Sequence, residues 1–131
     1  MVKMTEEYEK TVKDLLDRYQ QVQKDYQKLR AQRQQLDGVL NETMGVLKEL
    51  DYIKPGNTIY KLTGPILIEQ SLEESKQHIE KRKDLLQSEL KERESMIVTL
   101  QDEIKKRCEM LEECEQQFLK AQKQASSSKV K

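Results

Sequence analysis

Two cysteines, one histidine and a knot of glutamates are the residues of this 131-residue chain whose types could do chemistry. Cys108 and Cys114 lie six apart. That spacing fits neither a zinc knuckle nor a redox Cys-x-x-Cys pair, and on a helix the two side chains point in different directions. Cys114 reads instead as a small apolar residue of a helix seam. His78 adjoins the seam residue Ile79 and reads as an exposed helix-surface side chain rather than a catalyst or metal ligand. Glu109, Glu112, Glu113 and Glu115 are close in sequence, yet near-consecutive helix positions spread around the axis instead of converging on an ion. Gly64-Pro65 lacks the spacing of a phosphate loop, and a turn explains both residues. The expectation is a chain with no catalytic residue, cofactor or metal site.

The elements that carry these residues follow from composition. Only 35% of residues are hydrophobic, there is no Trp and a single Phe118, while 37% are charged. That suits long solvent-exposed helices with a narrow apolar seam and is too lean for a globular core. Net charge is zero, and each arm is itself balanced: nine basic against nine acidic in residues 1–50, thirteen against thirteen in residues 70–131. No basic stripe is left to neutralise phosphates, so nucleic acid is not an expected partner. Nor is a membrane, because no apolar run approaches the roughly 20 residues that span one. The start, Met1-Val-Lys-Met-Thr-Glu-Glu, has no signal-peptide core and is too acidic for a transit peptide, so a cytoplasmic location is expected.

Two heptad-patterned arms organise the chain. The first places Tyr8, Val12, Leu15, Tyr19, Val22, Tyr26, Leu29, Arg33, Leu36, Leu40, Thr43, Leu47 and Leu50 on one stripe. The second does the same with Leu72, Lys76, Ile79, Lys83, Leu86, Leu90, Arg93, Ile97, Leu100, Ile104, Arg107, Leu111, Cys114, Phe118, Ala121 and Ala125. Steps alternate four and three without a slip, the mark of a coiled-coil seam. Basic residues on it (Arg33, Lys76, Lys83, Arg93 and Arg107) are expected to set register and pairing with their stems packed. The first helix is expected over residues 1–51, with Thr5 as a possible N-cap and soft spots at Gly38 and Gly45, where close packing would explain the glycines. The second is expected over 71–125, opened by the capping box Ser71-Leu-Glu-Glu74, with 126–131 a disordered tail. Such helices would be about 70 and 80 Å long.

Between the arms, in residues 52–70, the period changes from 3.5 to 2. Lys54-Pro55-Gly56-Asn57 stops the helix, a strand begins near Thr58, Thr63-Gly-Pro65 turns, and Ile66-Leu67-Ile68 forms a second short strand. A lone two-stranded hairpin is marginal in water. Its apolar faces and free edges therefore imply partner strands, and Ile59, Tyr60, Leu62, Gly64, Pro65, Ile66, Leu67 and Ile68 are the expected oligomerisation residues. The fold class is mostly α: a long antiparallel two-helix coiled coil with one central β-hairpin that joins a shared, oligomeric β-assembly.

Setting Leu50 opposite Leu72 and walking outward puts Leu29 near Arg93, Val22 near Leu100 and Tyr8 near Cys114. Phe118 then has only Met4 to face. The open end is apolar and thinly covered on that register, and Met4, Tyr8, Leu111, Phe118 and Leu119 read there either as an adaptable binding surface or as ordinary fraying with a few residual seam residues.

The hairpin block Ile59-Tyr-Lys-Leu-Thr-Gly-Pro-Ile-Leu-Ile-Glu-Gln70 resembles the signature of β-class prefoldin subunits. That signature is an aromatic, Lys-Leu, then Gly-Pro, then an aliphatic run ending before Gln. Tyr19-Gln-Gln-Val-Gln-Lys24, Arg33-Gln-Gln-Leu36 and Ile79-Glu-Lys-Arg-Lys-Asp-Leu85 look like the flanks found in the subunit 6 branch. The resemblance covers roughly residues 8–120. The stretch after Leu100 departs from it in being longer and more acidic. It implies a hexamer of two α-class and four β-class chains, so that the partners are two α-class and three further β-class subunits. Unfolded client proteins such as actin and tubulin, held at coiled-coil tips that here would carry Met4, Tyr8, Leu111, Phe118 and Leu119, are implied partners as well. So is a group II chaperonin that receives them, and the oligomeric assembly of hairpins is implied to be a β-barrel. The function so implied is an ATP-independent holdase. Two alternatives stand beside it: a coiled-coil scaffold or tether, and a subunit of a prefoldin-like complex with assembly or transcriptional roles. A scaffold needs heptads but no hairpin with exposed strand edges, so the central block favours the chaperone.

Overall fold

A computed structural model describes residues 2–130, with side chains described over 5–125. The element order is α1 (Val2–Asp51), β1 (Ile59–Thr63), β2 (Ile66–Gln70) and α2 (Leu72–Val130). The chain divides into two units: Ala31–Ser95, and Met1–Arg30 with Met96–Lys131.

In the unit 31–95 the helices run antiparallel, because Arg33 near its α1 boundary pairs with Glu94, while Asp51 at the α1 end pairs with Lys76. Leu40, Thr43 and Leu50 are buried there. The Thr43 hydroxyl, which would otherwise be an unmet polar group, donates to the Val39 carbonyl at 2.8 Å. α1 ends as the chain chemistry dictates. Tyr52 N–H and Ile53 N–H bond the Glu49 and Leu50 carbonyls, tightening the last turn. Pro55 and Gly56 (φ 100°) then occupy the middle of a turn closed by Asn57 N–H on the Lys54 carbonyl at 3.2 Å, the type II pattern.

In the other unit the helices are antiparallel as well, since Tyr8 meets Phe118 and Tyr26 meets Gln101. Val22 and Ile97 are its buried apolar residues. Every seam position with a described side chain, in both arms, is at least partly covered. Among the described residues no large side chain is completely buried. A two-helix seam leaves each knob one side open to water, which is why the composition needs so few apolar residues.

Several expectations on boundaries and register change. α1 begins at Val2, so Thr5 lies inside the helix and is not its N-cap. α2 runs on to Val130 through the expected tail and past the expected end at 125, as no Gly or Pro after residue 65 stops it. Lys131 lies outside the described residues. A Cβ at Gly38 or Gly45 would meet nothing within 4 Å, so neither glycine marks a close approach within the chain. The register moves by about one helical turn: Tyr8 faces Phe118 rather than Cys114, and Asp51 reaches Lys76. The first turn of α2 is spent on capping and on the hairpin, so pairing with α1 starts one turn later. No helix among the described residues is long and apolar enough to cross a membrane.

Candidate assembly and binding surfaces

The hairpin is built by its turn. Thr63 pairs with Ile66, leaving Gly64 and Pro65 as a two-residue loop. Gly64 has φ 59°, and the pyrrolidine ring holds Pro65 near −65°, the sign pattern of a type II′ turn. That turn matches the right-handed twist of the flanking strands, so Gly64-Pro65 sets the register Ile59↔Gln70, Tyr60↔Glu69, Lys61↔Ile68 and Leu62↔Leu67.

The pairing sorts the side chains onto two faces. Tyr60, Leu62, Leu67 and Glu69 share one, and all are exposed, Leu62 at 68%. Ile59, Lys61, Thr63, Ile66, Ile68 and Gln70 share the other. Ile59, Lys61 and Gln70, at the base, are partly covered, while Ile66 (61%) and Ile68 (48%) stand clear. The sheet has only two strands, so each strand also keeps an unpaired edge. Five large apolar side chains and two open edges on ten strand residues form a surface that water tolerates poorly.

Polar contacts dock this hairpin onto α2. The Ser71 hydroxyl accepts from Glu74 N–H at 3.1 Å, the expected N-cap. Buried Ser75 donates its hydroxyl to the Gln70 side-chain carbonyl at 3.2 Å. Lys61 Nζ lies 2.9 Å from His78 Nε2, so the lone histidine accepts a hydrogen bond from the strand's ammonium group. His78 is exposed on the helix surface as expected, but its contact with Lys61 was not foreseen. The clue lay in the strand period, which puts Lys61 on the same face as Ile59 and points it toward the helices.

The basic seam residues behave in two ways. Arg33 Nη2 and Nε both reach Glu94 Oε1 across the helices, at 3.0 and 3.3 Å, and Lys76 reaches Asp51 at 3.2 Å. Arg107 stays on its own helix with Glu103, at 3.6 Å.

In the unit 1–30 with 96–131, the Tyr8 and Phe118 rings stack 3.8 Å apart and 10° from parallel. Both are half-buried, as is Leu111, while Leu119 and Met110 are exposed at 52% and 46%. The side chain of Met4 lies outside the described residues. Leu16 and Val98, off the seam, are further exposed apolar residues of this unit. Cys108 is an exposed free thiol and Cys114 a half-buried one. Glu109, Glu112, Glu113 and Glu115 are all exposed, and among the described residues no cluster of three or more acids, cysteines or histidines could hold a metal ion.

Comparison with known proteins agrees with this architecture. A family model described as prefoldin subunit matches residues 13–131. Prefoldin subunit 6 from Bos taurus is 34% identical over 119 residues, covering 91% of this chain and 92% of the relative. Probable prefoldin subunit 6 from Drosophila melanogaster is 37% identical over 102 residues, 78% of this chain and 82% of the relative. Among solved structures, the prefoldin beta subunit from Thermococcus strain KS-1 superposes with a TM-score of 0.74 at 17% identity, over 79% of this chain and 90% of the other. That protein shares the fold of long helices joined by a β-hairpin.

Proposed function

This chain belongs to the prefoldin subunit family, and from that premise we propose that it is one β-class member of a cytoplasmic hexamer with two α-class and three further β-class subunits. Its hairpin adds strands to a shared β-barrel. Its helix ends hold unfolded proteins, actin and tubulin among them, and present them to a group II chaperonin. Binding requires no nucleotide, because the work is capture by apolar surface and not a driven conformational cycle.

The observation that carries the assembly role is the hairpin itself. Ile66, Leu67 and Ile68 are exposed together on a sheet of two strands with both edges open. Left in water they would favour aggregation, and strand addition from neighbours removes both liabilities at once. A simple tether has no use for such an element.

The test is to purify the tagged chain from its own cells and count its companions by mass spectrometry. Five other prefoldin chains at equal stoichiometry are expected. The purified complex should suppress aggregation of a denatured client equally with and without ATP. Recovery of the chain alone, or a reproducible ATP requirement in the absence of chaperonin, would remove the reading.

A further inference from the structure

At the hairpin base, the unit 31–95 contains an open groove of about 580 Å³, lined from all four elements. Its floor is apolar: Val46 and Leu50 from α1, Ile79 and Leu85 from α2. Val46 and Leu85 lie off the heptad seam and stay exposed at 41% and 61%. Gln70 and Ser75 line the groove too, but they are neutral and already bonded to each other. The charge around it has one sign. Lys61, His78, Lys81 and Arg82 line the groove, and no Asp or Glu does. This excess is local, because the chain as a whole carries equal numbers of acids and bases. Arg82 has His78, Ile79, Leu85 and Leu86 at the three- and four-residue spacings of its helix, so no acid on α2 is within its reach. Lys81 has Asp84 at such a spacing, yet among the described residues the two do not pair. Lys61 has the His78 ring as its partner rather than a carboxylate.

We propose that this groove binds an acidic, apolar peptide segment of a protein that is not a prefoldin-family subunit. The groove is formed within one chain, so the proposal stands apart from the assembly reading above. Apolar side chains of the segment cover Val46 and Leu85, which folding leaves in contact with water. Its carboxylates pair with Lys81 and Arg82, and offer Lys61 a charged acceptor in place of imidazole. Charge complementarity decides the class of ligand. Cations contributed by both β1 and α2 call for more than one carboxylate, which a fatty acid does not carry. A nucleic acid supplies anions but leaves the apolar floor uncovered. An acidic peptide meets both requirements, and the part of α2 from His78 to Leu85 gives it about 10 Å of contact. The basic side chains draw such a segment in and turn a basic one away, and the floor then retains it.

The experiment titrates a short fluorescent peptide of alternating Glu and Leu, read by anisotropy, into the complex purified through the tagged chain and into the isolated full-length chain. Both should bind it, and raised salt should weaken binding. A matched Gln-Leu peptide, and polyglutamate without Leu, should each bind roughly tenfold more weakly. Lys81→Glu with Arg82→Glu should weaken the Glu-Leu peptide by roughly tenfold, whereas the same reversal at exposed Lys105 and Lys106, in the other unit, should change it by less than about twofold. Leu85→Ser, at a side chain already exposed, should weaken binding severalfold with helicity unchanged. Lys81→Gln with Arg82→Gln gives an intermediate loss, and it decides the matter if the reversal lowers helicity by circular dichroism. Equal binding of the Gln-Leu peptide, indifference to the changes in the groove, or an equal loss from the Lys105 and Lys106 reversal overturns the proposal. So does binding by the isolated chain but not by the complex, since a neighbouring subunit then fills the groove. If the tagged chain is recovered without companions, the assembly reading falls, and the titration of the chain itself still decides the groove.

Discussion

The ring of Tyr8 lies flat on that of Phe118, 3.8 Å between centroids, joining residues 110 apart in the chain. Both sit on the seam, so the stack is a knob-to-knob contact of α1 with α2, in the unit that holds the expected client-binding residues. A half-buried aromatic pair of this kind contributes about 0.5–1.5 kcal/mol beyond its burial. Phe118→Ala should therefore fray the helix ends of this unit without unfolding the rest. Amide hydrogen exchange over residues 5–12 and 112–122 should accelerate severalfold, and exchange in 31–95 should not change. Equal protection in both regions would mean the stack is incidental.

Replacing Ile66 and Ile68 by Asp should leave a helical chain that no longer enters the complex. Both side chains are exposed in the isolated subunit, so the change costs the fold little, while two carboxylates on a face meant for apolar neighbours oppose strand addition. Gel filtration distinguishes the outcomes, and elution of this variant at the hexamer position contradicts the barrel-joining role.

Gly38 and Gly45 sit mid-helix facing open space, so Gly38→Ala and Gly45→Ala should each stabilise the isolated chain by up to ~1 kcal/mol. Thermal melts by circular dichroism read this directly as higher Tm. A variant that is more stable alone but excluded from the complex would locate a neighbouring chain against that glycine.

Much of the fold was legible because the signals were periodic. The four-and-three stepping named positions that are all at least partly covered where their side chains are described, though it missed Ser75, buried off the seam. The change to period two located both strand starts within a residue, while β2 runs two residues past Ile68 to Gln70. Register was not legible in the same way. Heptads repeat every seven residues, so the choice among registers depends on one anchor, and Leu50 opposite Leu72 ignored the turn of α2 in which Ser71 caps the helix and Ser75 holds Gln70 of the hairpin. The pair Arg33–Glu94 shows what the pattern lacked. Arg33 was visible as a polar seam residue, but Glu94 lies one position off the seam, where nothing in the heptad marks it as a partner. An open groove of about 580 Å³ at the hairpin base was hidden because four elements, α1, β1, β2 and α2, build it from residues scattered between Val46 and Leu85.

That ion pair offers a direct check of the register. Arg33→Glu and Glu94→Arg alone should each lower stability, and the double exchange should recover most of the loss. Both side chains are more than two-fifths exposed, so water screens the pair and the coupling should be only about 0–1 kcal/mol. A double-mutant cycle in urea measures it. Zero coupling at low ionic strength would argue that Arg33 holds its position by packing alone.

On the proposed function, client capture is the property that should depend most on the helix ends. An unfolded chain exposes apolar side chains without fixed geometry, so its receptor must be apolar, adaptable and repeated. Leu119, Met110 and the half-covered Leu111, Tyr8 and Phe118 supply apolar and adaptable surface, and the proposed hexamer would supply repetition through avidity. Deleting residues 1–8 together with 112–131 removes the stack and Leu119 but touches nothing in the hairpin unit. The truncated subunit should still assemble, and the resulting complex should hold a denatured client more weakly. Handover to the chaperonin should weaken too, because the deletion also takes Glu112, Glu113 and Glu115 with Lys120 and Lys123, whose exposed charges suit a polar docking contact. In the proposed hexamer five intact neighbours would keep their own tips, so the loss should be partial and differ between clients. Aggregation assays with several clients, followed by transfer assays, give the answer: complexes matching the full-length form in every one would reduce this end of the chain to a spacer.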